Sequence, residues 1–264
     1  MTDGRDFSSP PGGTTPYDDA FFDRLQQGAL RSAAVVVPHL MRWISPQSVV
    51  DIGCGRGAWL SVFQQHGVET LLGVDGPYVE RERLAIPQEC FREANLDGPL
   101  SLEGSFDLAL CLEVAEHLNW RHGPGLVTKL ASLAPFVLFS AAVPGQSGVH
   151  HVNAQWPWYW VNLFRERGFQ CLDVVRPKIW RDTGVDFFYR QNTFLFASSA
   201  GLERRPHLLE EEAFSFDDLQ LIHAGILGQF QGVRGLLAHL PGALRRAITN
   251  RLTLKGRHWG SPFP

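Results

Sequence analysis

The chain has 264 residues, of which 44% are hydrophobic and 19% charged, and this composition fits one soluble α/β domain with additions. No apolar run reaches 18 residues and the N-terminus lacks a basic-then-apolar signal pattern, so neither a membrane span nor a secretory leader is expected. The four cysteines, Cys54, Cys90, Cys111 and Cys171, are far apart and form no C-x-x-C pair. They suggest neither a zinc knuckle nor a disulfide framework, and we expect a cytoplasmic protein without a bound metal.

The first predicted elements are a tail and a helix. Residues 1–17 are rich in Pro, Gly, Ser and Thr and are expected to form a disordered tail. Apolar residues at helical spacing then predict a helical cap over residues 18–44, beginning at Asp18 or Asp19. Pro38 is expected to kink or restart this helix.

Strands and helices alternate over residues 45–200, which we expect to form one domain. The predicted strands cover residues 48–53, 69–75, 89–95, 106–114, 135–145, 171–177 and 193–199, and the predicted helices cover 58–67, 123–134 and 158–169. Near-continuous apolar strands that alternate with helices indicate a mostly parallel sheet covered on both faces. The last two strands have no predicted helix between them, so we expect a hairpin with one antiparallel strand near the sheet edge. Residues 180–192 make a long connection, which is typical of a lid.

A helical extension is predicted over residues 201–264, and its charge is one-sided. Residues 219–264 carry six basic residues and no acidic one. Such asymmetry indicates either a solvated helix face or an arm that contacts a protein partner or a second copy of the chain.

A glycine-rich turn joins the first strand of the sheet to its first helix in the segment VVDIGCGRGAWL, residues 49–60. Turns of this kind bind nucleotides, because glycine lets the backbone approach a ligand and the helix N-terminus offers free N–H groups. The spacing also fits a dinucleotide site, and Asp75 at the end of the second strand would accept hydrogen bonds from ribose hydroxyls in either case. Asp51 favours a cationic ligand. Its carboxylate would repel a pyrophosphate and attract the ammonium and sulfonium of S-adenosylmethionine.

At these residues the chain resembles the class I S-adenosylmethionine-dependent methyltransferases, over about residues 45–200. The segments VVDIGCGRG, LLGVDG, EANLDGPL and FDLALCLEVAEHL match the family's four motifs in order. The resemblance implies a Rossmann-like seven-stranded sheet with its seventh strand antiparallel, and S-adenosylmethionine as the cofactor. It implies a donor site formed by Asp51, Gly53, Cys54, Gly55, Gly57, Asp75, Gly76, Asn95, Leu96, Asp97, Leu112, Glu113 and His117. In this site Asp97 would face the adenine amino group.

A longer segment, VPGQSGVHHVNAQWPWYWVNLFRERGF, resembles bacterial methyltransferases found among small-molecule and glycan-modifying enzymes. In those enzymes we expect Gly-His-x-Asn-Glu-Gln-Trp. This chain has His150 in place of the glycine and Ala154 in place of the glutamate, while the other positions match. The change at residue 154 removes a carboxylate from that part of the substrate site.

Methyl transfer to a hydroxyl needs a general base with a pKa near the operating pH, and histidine suits this role. The candidates are His151 first, then His150 and His117, all of which follow strands at the ligand-binding edge of the sheet. Glu113 either orients a ligand or caps the next helix. The candidate acceptor contacts are Asn153, Trp156, Tyr159, Arg181 and Tyr189.

The sequence therefore favours a methyltransferase that acts on a hydroxyl, or less readily an amine, of a small molecule such as a secondary metabolite or sugar. A nucleic-acid acceptor is not expected, because the sheet region is acidic and no Asn/Asp-Pro-Pro-aromatic motif follows the fourth strand. Two alternatives stay open. One is a non-catalytic donor-binding protein with a basic partner-binding C-terminal arm. The other is an NAD-dependent oxidoreductase, which Asp51 disfavours.

Overall fold

The computed structural model describes residues 19–98, 100–211 and 221–224. Its strands are β1 Ser48–Ile52, β2 Thr70–Asp75, β3 Phe91–Glu93, β4 Leu108–Leu112, β5 Phe136–Ser140, β6 Phe169–Leu172 and β7 Phe194–Ser198. Its helices are α1 Asp19–Trp43, α2 Ala58–Gln65, α3 Gly123–Leu133, α4 Pro157–Arg165, α5 Arg176–Ile179, α6 Phe187–Asn192 and α7 Ser199–Arg204. Short 3₁₀ turns cover Arg81–Arg83, Gln88–Cys90 and Pro206–Leu209.

The seven strands form one sheet in the order β3-β2-β1-β4-β5-β7-β6. All neighbouring strands are parallel except β7, which runs antiparallel to both β5 and β6. The expected antiparallel strand next to the sheet edge is thus confirmed. The chain order reverses between β1 and β4, and ligands of open α/β sheets bind beyond the carboxyl ends of the strands at such a point.

Side chains of successive strand residues point to opposite faces, so the sheet carries two apolar layers. On one face Val49, Leu108 and Leu138 pack in the same cluster as buried residues of α1 and α2. On the other face Val50, Ala109 and Phe139 pack with buried residues of α3 and α4. Helices on both faces leave the carboxyl edge of the parallel strands as the place for a site.

Three expectations are corrected. The third strand has three residues, β3, instead of the predicted seven, and the fifth strand ends at Ser140. The connection between β6 and β7 contains α5 and α6, so the expected absence of a helix there is wrong. These helices have four and six residues, which is too short to show a helical repeat in the sequence. Helices of this length are stabilised by tertiary contacts, which the sequence pattern does not show.

Helix α1 continues through Pro38, so the expected restart there is wrong. Val36, Val37 and Leu40 surround the proline and are fully buried against the sheet. The free energy gained by burying these side chains offsets the cost of the backbone hydrogen bond that proline cannot donate.

Two expected segments cannot be compared with the structure. The tail over residues 1–17 lies outside the described residues, and so does most of the extension predicted for 201–264, including the six basic residues of 219–264. Within the described part of the chain, no helix is long and apolar enough to cross a membrane.

Candidate functional site

The glycine turn between β1 and α2 adopts left-handed backbone at Gly53, Gly55 and Gly57, with φ values of 85°, 54° and 80°. Gly53 N donates to Val74 O at 2.7 Å and so attaches the turn to β2. A Cβ atom at Gly53 would lie 2.2 Å from the Val114 side chain, whereas at Gly55 it would meet nothing within 4 Å. Gly53 is therefore required by packing, and Gly55 borders open space that a ligand can fill.

Asp75 connects the glycine turn to the end of β2. Its carboxylate accepts hydrogen bonds from Gly55 N at 2.6 Å and from Gly76 N at 2.7 Å, and the Tyr78 hydroxyl donates to it as well. Sequence reasoning did not identify Tyr78, since an aromatic residue three positions beyond the aspartate is the only signal. Asp75 thus holds the turn and lies where a ribose hydroxyl could replace the tyrosine hydroxyl.

Asp51 at the end of β1 is 2% exposed, and its Oδ1 has no hydrogen-bond partner among the described residues. Burial, with the nearby Asp75 carboxylate as a second cause, raises the pKa of Asp51 to about 7. A buried carboxylate without a partner is unfavourable unless it is protonated or meets a positive charge. The orphaned oxygen beside the open turn at Gly55 therefore fits the ammonium of S-adenosylmethionine. Cys54 is buried within the same turn.

The third motif lies at the surface. Asp97 accepts hydrogen bonds from Asn119 N at 3.0 Å and contacts His122 Nδ1 at 2.7 Å, and the His122 hydrogen bond lowers the pKa of Asp97. Asn95 Oδ1 accepts from Asp97 N at 3.0 Å, and Leu96 packs partly buried against the sheet. The Asp97 carboxylate is paired with a histidine here, and its contact with adenine stays a prediction.

Glu113 follows the buried Leu112 at the end of β4 and has a left-handed φ of 56°. Its Oε1 accepts from Asn192 Nδ2 at 3.0 Å and its Oε2 from Gln146 Nε2 at 2.8 Å. Burial raises the pKa of Glu113, although these hydrogen bonds act in the opposite direction. Two amides from distant segments thus fix the carboxyl group. Sequence reasoning missed Gln146, whose only signal is its place just after β5.

Three residues that follow β4 and β5 form a polar cluster, which comprises Glu116, His117 and His151. Their candidate ligand atoms all lie within 4.8 Å of one another, and the two imidazole rings are 5.1 Å apart between centroids. Glu116 is fully buried, and neither of its carboxyl oxygens has a hydrogen-bond partner in the described part of the chain. Burial raises the pKa of Glu116 and lowers the pKa of both histidines.

Backbone hydrogen bonds join the two loops that carry this cluster. Glu116 O accepts from Val152 N and Asn153 N, each at 2.9 Å. The buried Asn153 side chain donates from Nδ2 to Ala115 O at 3.1 Å. Asn153, predicted as an acceptor contact, therefore holds the loop after β5 against the loop after β4.

The two adjacent histidines differ in conformation. His151 Nδ1 lies 3.2 Å from Gln146 O, which as a carbonyl can only accept, so Nδ1 carries the proton and Nε2 has its lone pair available. His150 is exposed and has a left-handed φ of 58°. A left-handed residue explains why glycine is expected at this position in the resembling enzymes.

The other predicted acceptor contacts are dispersed. Trp156 and Tyr159 are partly buried at the start of α4, and Arg181 is exposed after α5. Tyr189 is buried, and its hydroxyl lies 3.4 Å from Trp59 Nε1 in the helix that follows the glycine turn. Tyr189 is thus placed near the donor side, and acceptor contacts by these four residues stay predictions.

A family model described as a methyltransferase domain matches residues 25–182. No curated protein matches the chain significantly. This match supports methyl transfer and goes against the oxidoreductase alternative.

Several solved structures are similar. The methyltransferase domain of bacterial CtHen1-C is 17% identical, with 64% of this chain and 98% of that chain covered and a TM-score of 0.48. Magnesium protoporphyrin IX methyltransferase from Synechocystis PCC 6803 with bound SAM is 19% identical, with 71% and 86% covered and a TM-score of 0.48. Human N-acetylserotonin methyltransferase in complex with SAM is 15% identical, with 67% and 55% covered and a TM-score of 0.46. Because these TM-scores are below 0.5, the family rests on the sequence match.

Proposed function

The chain belongs to the methyltransferase-domain family and is an S-adenosylmethionine-dependent methyltransferase, and from this premise we propose that its acceptor is a hydroxyl group of a small molecule, such as a secondary metabolite or a sugar. The donor supplies a methyl group that is already activated by a positively charged sulfur. The protein must therefore align the acceptor oxygen at about 3–3.5 Å from the methyl carbon and keep water out. In this proposal residues 45–200 carry the catalytic domain, with residues 18–44 as a cap and 201–264 as an extension.

The donor side of the proposal rests on the glycine turn and two aspartates. Asp51 pairs with the ammonium of the donor through its orphaned Oδ1, and Gly55 leaves room for the ligand. Asp75 receives the ribose hydroxyls in place of the Tyr78 hydroxyl. We propose further donor contacts from Gly53, Cys54, Gly57, Gly76, Asn95, Leu96, Asp97, Leu112, Glu113 and His117.

The observation that carries the hydroxyl acceptor is the anchored imidazole of His151. Its Nδ1 proton is held by Gln146 O, which leaves the lone pair on Nε2, and the ring lies 5.1 Å from that of His117 between centroids. Burial lowers the pKa of His151, so the ring is neutral at neutral pH and able to accept a proton. A neutral amine acceptor has no need of such a base during methyl transfer, so the anchored ring favours a hydroxyl.

The surroundings of the histidines indicate the shape of the acceptor. Val149 and Val152 flank the His150–His151 pair, and both valines are exposed. Apolar side chains exposed beside a polar cluster are typical of a binding surface. We therefore expect the acceptor to carry an apolar group next to its hydroxyl.

The experiment is a screen of hydroxylated metabolites for formation of S-adenosylhomocysteine, followed by variants at the histidine pair. His151→Ala is expected to lower kcat by ~10²–10⁴-fold, the usual worth of a positioned base, while the Kd for S-adenosylhomocysteine stays unchanged. The matched variant His150→Ala should lose less, because that ring is exposed and is not part of the described cluster. An unaltered kcat in His151→Ala would show that His151 is not a base and that catalysis depends on alignment of the acceptor with the methyl group alone. Methylation of amines only would contradict the proposed acceptor.

A further inference from the structure

The most unusual group in the site is the Glu116 carboxyl, because it is fully buried and both of its oxygens lack a hydrogen-bond partner among the described residues. Buried polar groups are normally satisfied, and an unsatisfied one indicates a missing proton, ion or ligand. The groups facing it are His117, His151, the Glu113 carboxyl and the backbone N–H groups of Glu116 and Ala142. Glu113 already accepts from two amides, so the two imidazoles are what remains to complete a site around Glu116.

We propose that Glu116, His117 and His151 together bind a divalent metal cation at the acceptor side of the donor pocket. Their candidate ligand atoms lie within 4.8 Å of one another, a spacing that a single ion placed among them can bridge. Glu116 is buried while His117 is exposed. The carboxylate would therefore bind the ion on its protein side, and the acceptor would approach the ion from the solvent side.

The supporting groups around the cluster are those that metal sites use. Histidine ligands usually donate their second ring N–H to a carbonyl or carboxylate, which fixes the tautomer and aims the other nitrogen at the ion. His151 has this arrangement through Gln146 O. The loops that carry the ligands are joined by the hydrogen bonds from Val152 N and Asn153 N to Glu116 O.

Gly148 makes room for the His151 ring. A Cβ atom at this position would lie 2.0 Å from His151 Nε2 and 2.2 Å from its Cε1. Because no side chain is present there, the His151 ring can lie against the backbone of Gly148. Gly148 is not among the residues with positive φ. The glycine is therefore explained by the space that the His151 ring needs and not by a left-handed backbone conformation.

The ligand set indicates the kind of ion. Two imidazoles and one carboxylate suit first-row ions such as Mn²⁺, Co²⁺ and Zn²⁺, whereas Mg²⁺ and Ca²⁺ prefer oxygen ligands throughout. Three protein ligands also leave a coordination position open, as in catalytic zinc sites. The expectation of no metal came from the spacing of the cysteines. Cysteine spacing gives no information about a cluster of Glu and His side chains from two loops that are distant in sequence.

The catalytic consequence rests on the proposed function. An acceptor hydroxyl at the open position would release its proton to solvent more easily, because the cation stabilises the anionic oxygen. The oxygen then bonds to the methyl carbon, the carbon–sulfur bond breaks, and its electron pair stays on sulfur. In the loaded enzyme His151 acts as a ligand of the ion, and the base role described above would belong to the metal-free enzyme alone.

The test is a Co²⁺ titration of the untagged full-length chain after chelator treatment, followed by visible absorption and calorimetry. We expect one Co²⁺ ion per chain, which Zn²⁺ displaces. Gly148→Ala should weaken Co²⁺ binding by about 10–100-fold, the range found when groups around a metal site are altered, and Glu116→Gln, which removes a ligand, should weaken it at least as much. His66→Ala, an exposed histidine at the end of α2, is the matched control and should bind Co²⁺ as the wild type does.

Binding of S-adenosylhomocysteine by each variant establishes that the donor side is folded. Absence of Co²⁺ binding by the wild type, or binding that is unchanged in both Glu116→Gln and Gly148→Ala, overturns the proposal. If the ion binds through these residues but no hydroxyl is methylated, the acceptor in the proposed function is wrong while the cation site stands. If chelation leaves hydroxyl methylation unaltered, the catalytic role of the ion is refuted.

Discussion

At the scale of single residues, the site contains two buried carboxyl groups with unsatisfied oxygens, Asp51 near the end of β1 and Glu116 after β4. Each is unfavourable in isolation, because desolvation penalises the charged form. Each is also placed where a positive partner is expected, the donor ammonium for Asp51 and a cation for Glu116. The structure therefore contains two buried carboxyl groups with unpartnered oxygens, of which we propose the first for the donor and the second for acceptor chemistry.

The affinity for the donor should depend on pH through Asp51. The pKa of Asp51 is about 7, so at pH 6 the donor ammonium must displace a proton, and at pH 8 it meets an ionised carboxylate. The Kd for S-adenosylhomocysteine should fall by up to about tenfold from pH 6 to pH 8 and change little above that. Calorimetry at several pH values measures this. Asp51→Asn should bind weakly with little pH dependence, and a wild-type Kd that rises with pH would contradict the assignment.

The stability of the free protein provides a control for the same residue. The folded pKa of Asp51 is above its ordinary value of 3.8, so its favourable contribution is present at low pH and is lost as pH rises through about 7. In the absence of donor, Asp51→Asn should therefore have a higher Tm than the wild type at pH 8. A lower Tm there would show that the substitution disturbs the fold.

Alanine substitutions at two glycines of the same turn should distinguish an effect on core packing from an effect on donor binding. Gly53→Ala should fail to fold or lose several degrees of Tm, because its Cβ would overlap the Val114 side chain in a left-handed backbone. Gly55→Ala meets no atom within 4 Å and should fold with a destabilisation of roughly 1 kcal/mol. It should nevertheless weaken S-adenosylhomocysteine binding, which calorimetry measures. Wild-type affinity in folded Gly55→Ala would place the ligand elsewhere.

Site residues could be predicted from the sequence where they lie in or next to short motifs. Asp51, the glycine turn and Asp75 are signalled by strand ends and spacing, and the structure brings them together. Tyr78 and Gln146 were not predicted, because their contacts depend on the path of loops that the pattern does not specify. The sequence places Glu116 just after the fourth predicted strand, and its complete burial is a tertiary property.

At the scale of elements, helix α1 braces the glycine turn. Asp23 of α1 accepts from Arg56 in the turn at 2.7 Å and from Arg83 at 2.6 Å. Farther along the helix, Ser32 Oγ accepts from Asp186 N at 3.0 Å, just before α6. The described contacts of α1 thus reach both the donor turn and the connection that carries Asn192.

Truncation from the N-terminus should distinguish the tail from this helix. Removing residues 1–17 should leave activity intact, because α1 begins at Asp19. Removing residues 1–40 should abolish turnover, since Val36, Val37 and Leu40 are fully buried and their loss exposes the sheet. Methyl transfer and S-adenosylhomocysteine binding are measured on both proteins. Full activity of the longer truncation would make the helix dispensable.

The elements that could be predicted are those with enough residues to carry a pattern. The strands β1, β2 and β4 and the long helix α1 were identified close to their observed bounds. The short β3, α5 and α6 were missed or misjudged, because their stability comes from contacts with the rest of the molecule. The fully buried Arg176, for example, pairs with Asp173 three residues earlier at the start of α5.

At the scale of the whole molecule, a segment far along the chain is attached close to the site. Gln191 Nε2 donates to Leu221 O at 2.6 Å, and the backbone N–H of His223 donates to Gln191 Oε1. His223 Nε2 also lies 2.9 Å from Trp180 O. Gln191 is fully buried and precedes Asn192, which holds Glu113. Residues 221–224 are therefore connected to the catalytic edge through one helix.

This connection predicts different effects for two C-terminal truncations. A chain ending at residue 224 keeps these contacts and loses all the basic residues of the 219–264 segment. It should retain the Tm and the kcat of the full chain in a purified assay, because the basic residues would serve a partner and not the chemistry. Scanning fluorimetry and methyl transfer are the measurements. A loss of activity in this protein would instead place the basic segment in the catalytic unit.

A chain that ends at residue 211 should behave differently, because Gln191 then loses its backbone partners. A buried amide left unsatisfied costs about 1–3 kcal/mol, and about 2–4 °C of Tm per kcal/mol is expected for a domain of this size. Release of α6 should also free Asn192 from Glu113 and lower kcat more than it changes the Kd for S-adenosylhomocysteine. Gln191→Ala in the full-length chain is the matched variant and should reproduce the direction of both effects. Equal Tm and kcat for the chains that end at 211 and 224 would mean that the contacts of residues 221–224 carry neither stability nor the geometry of the site.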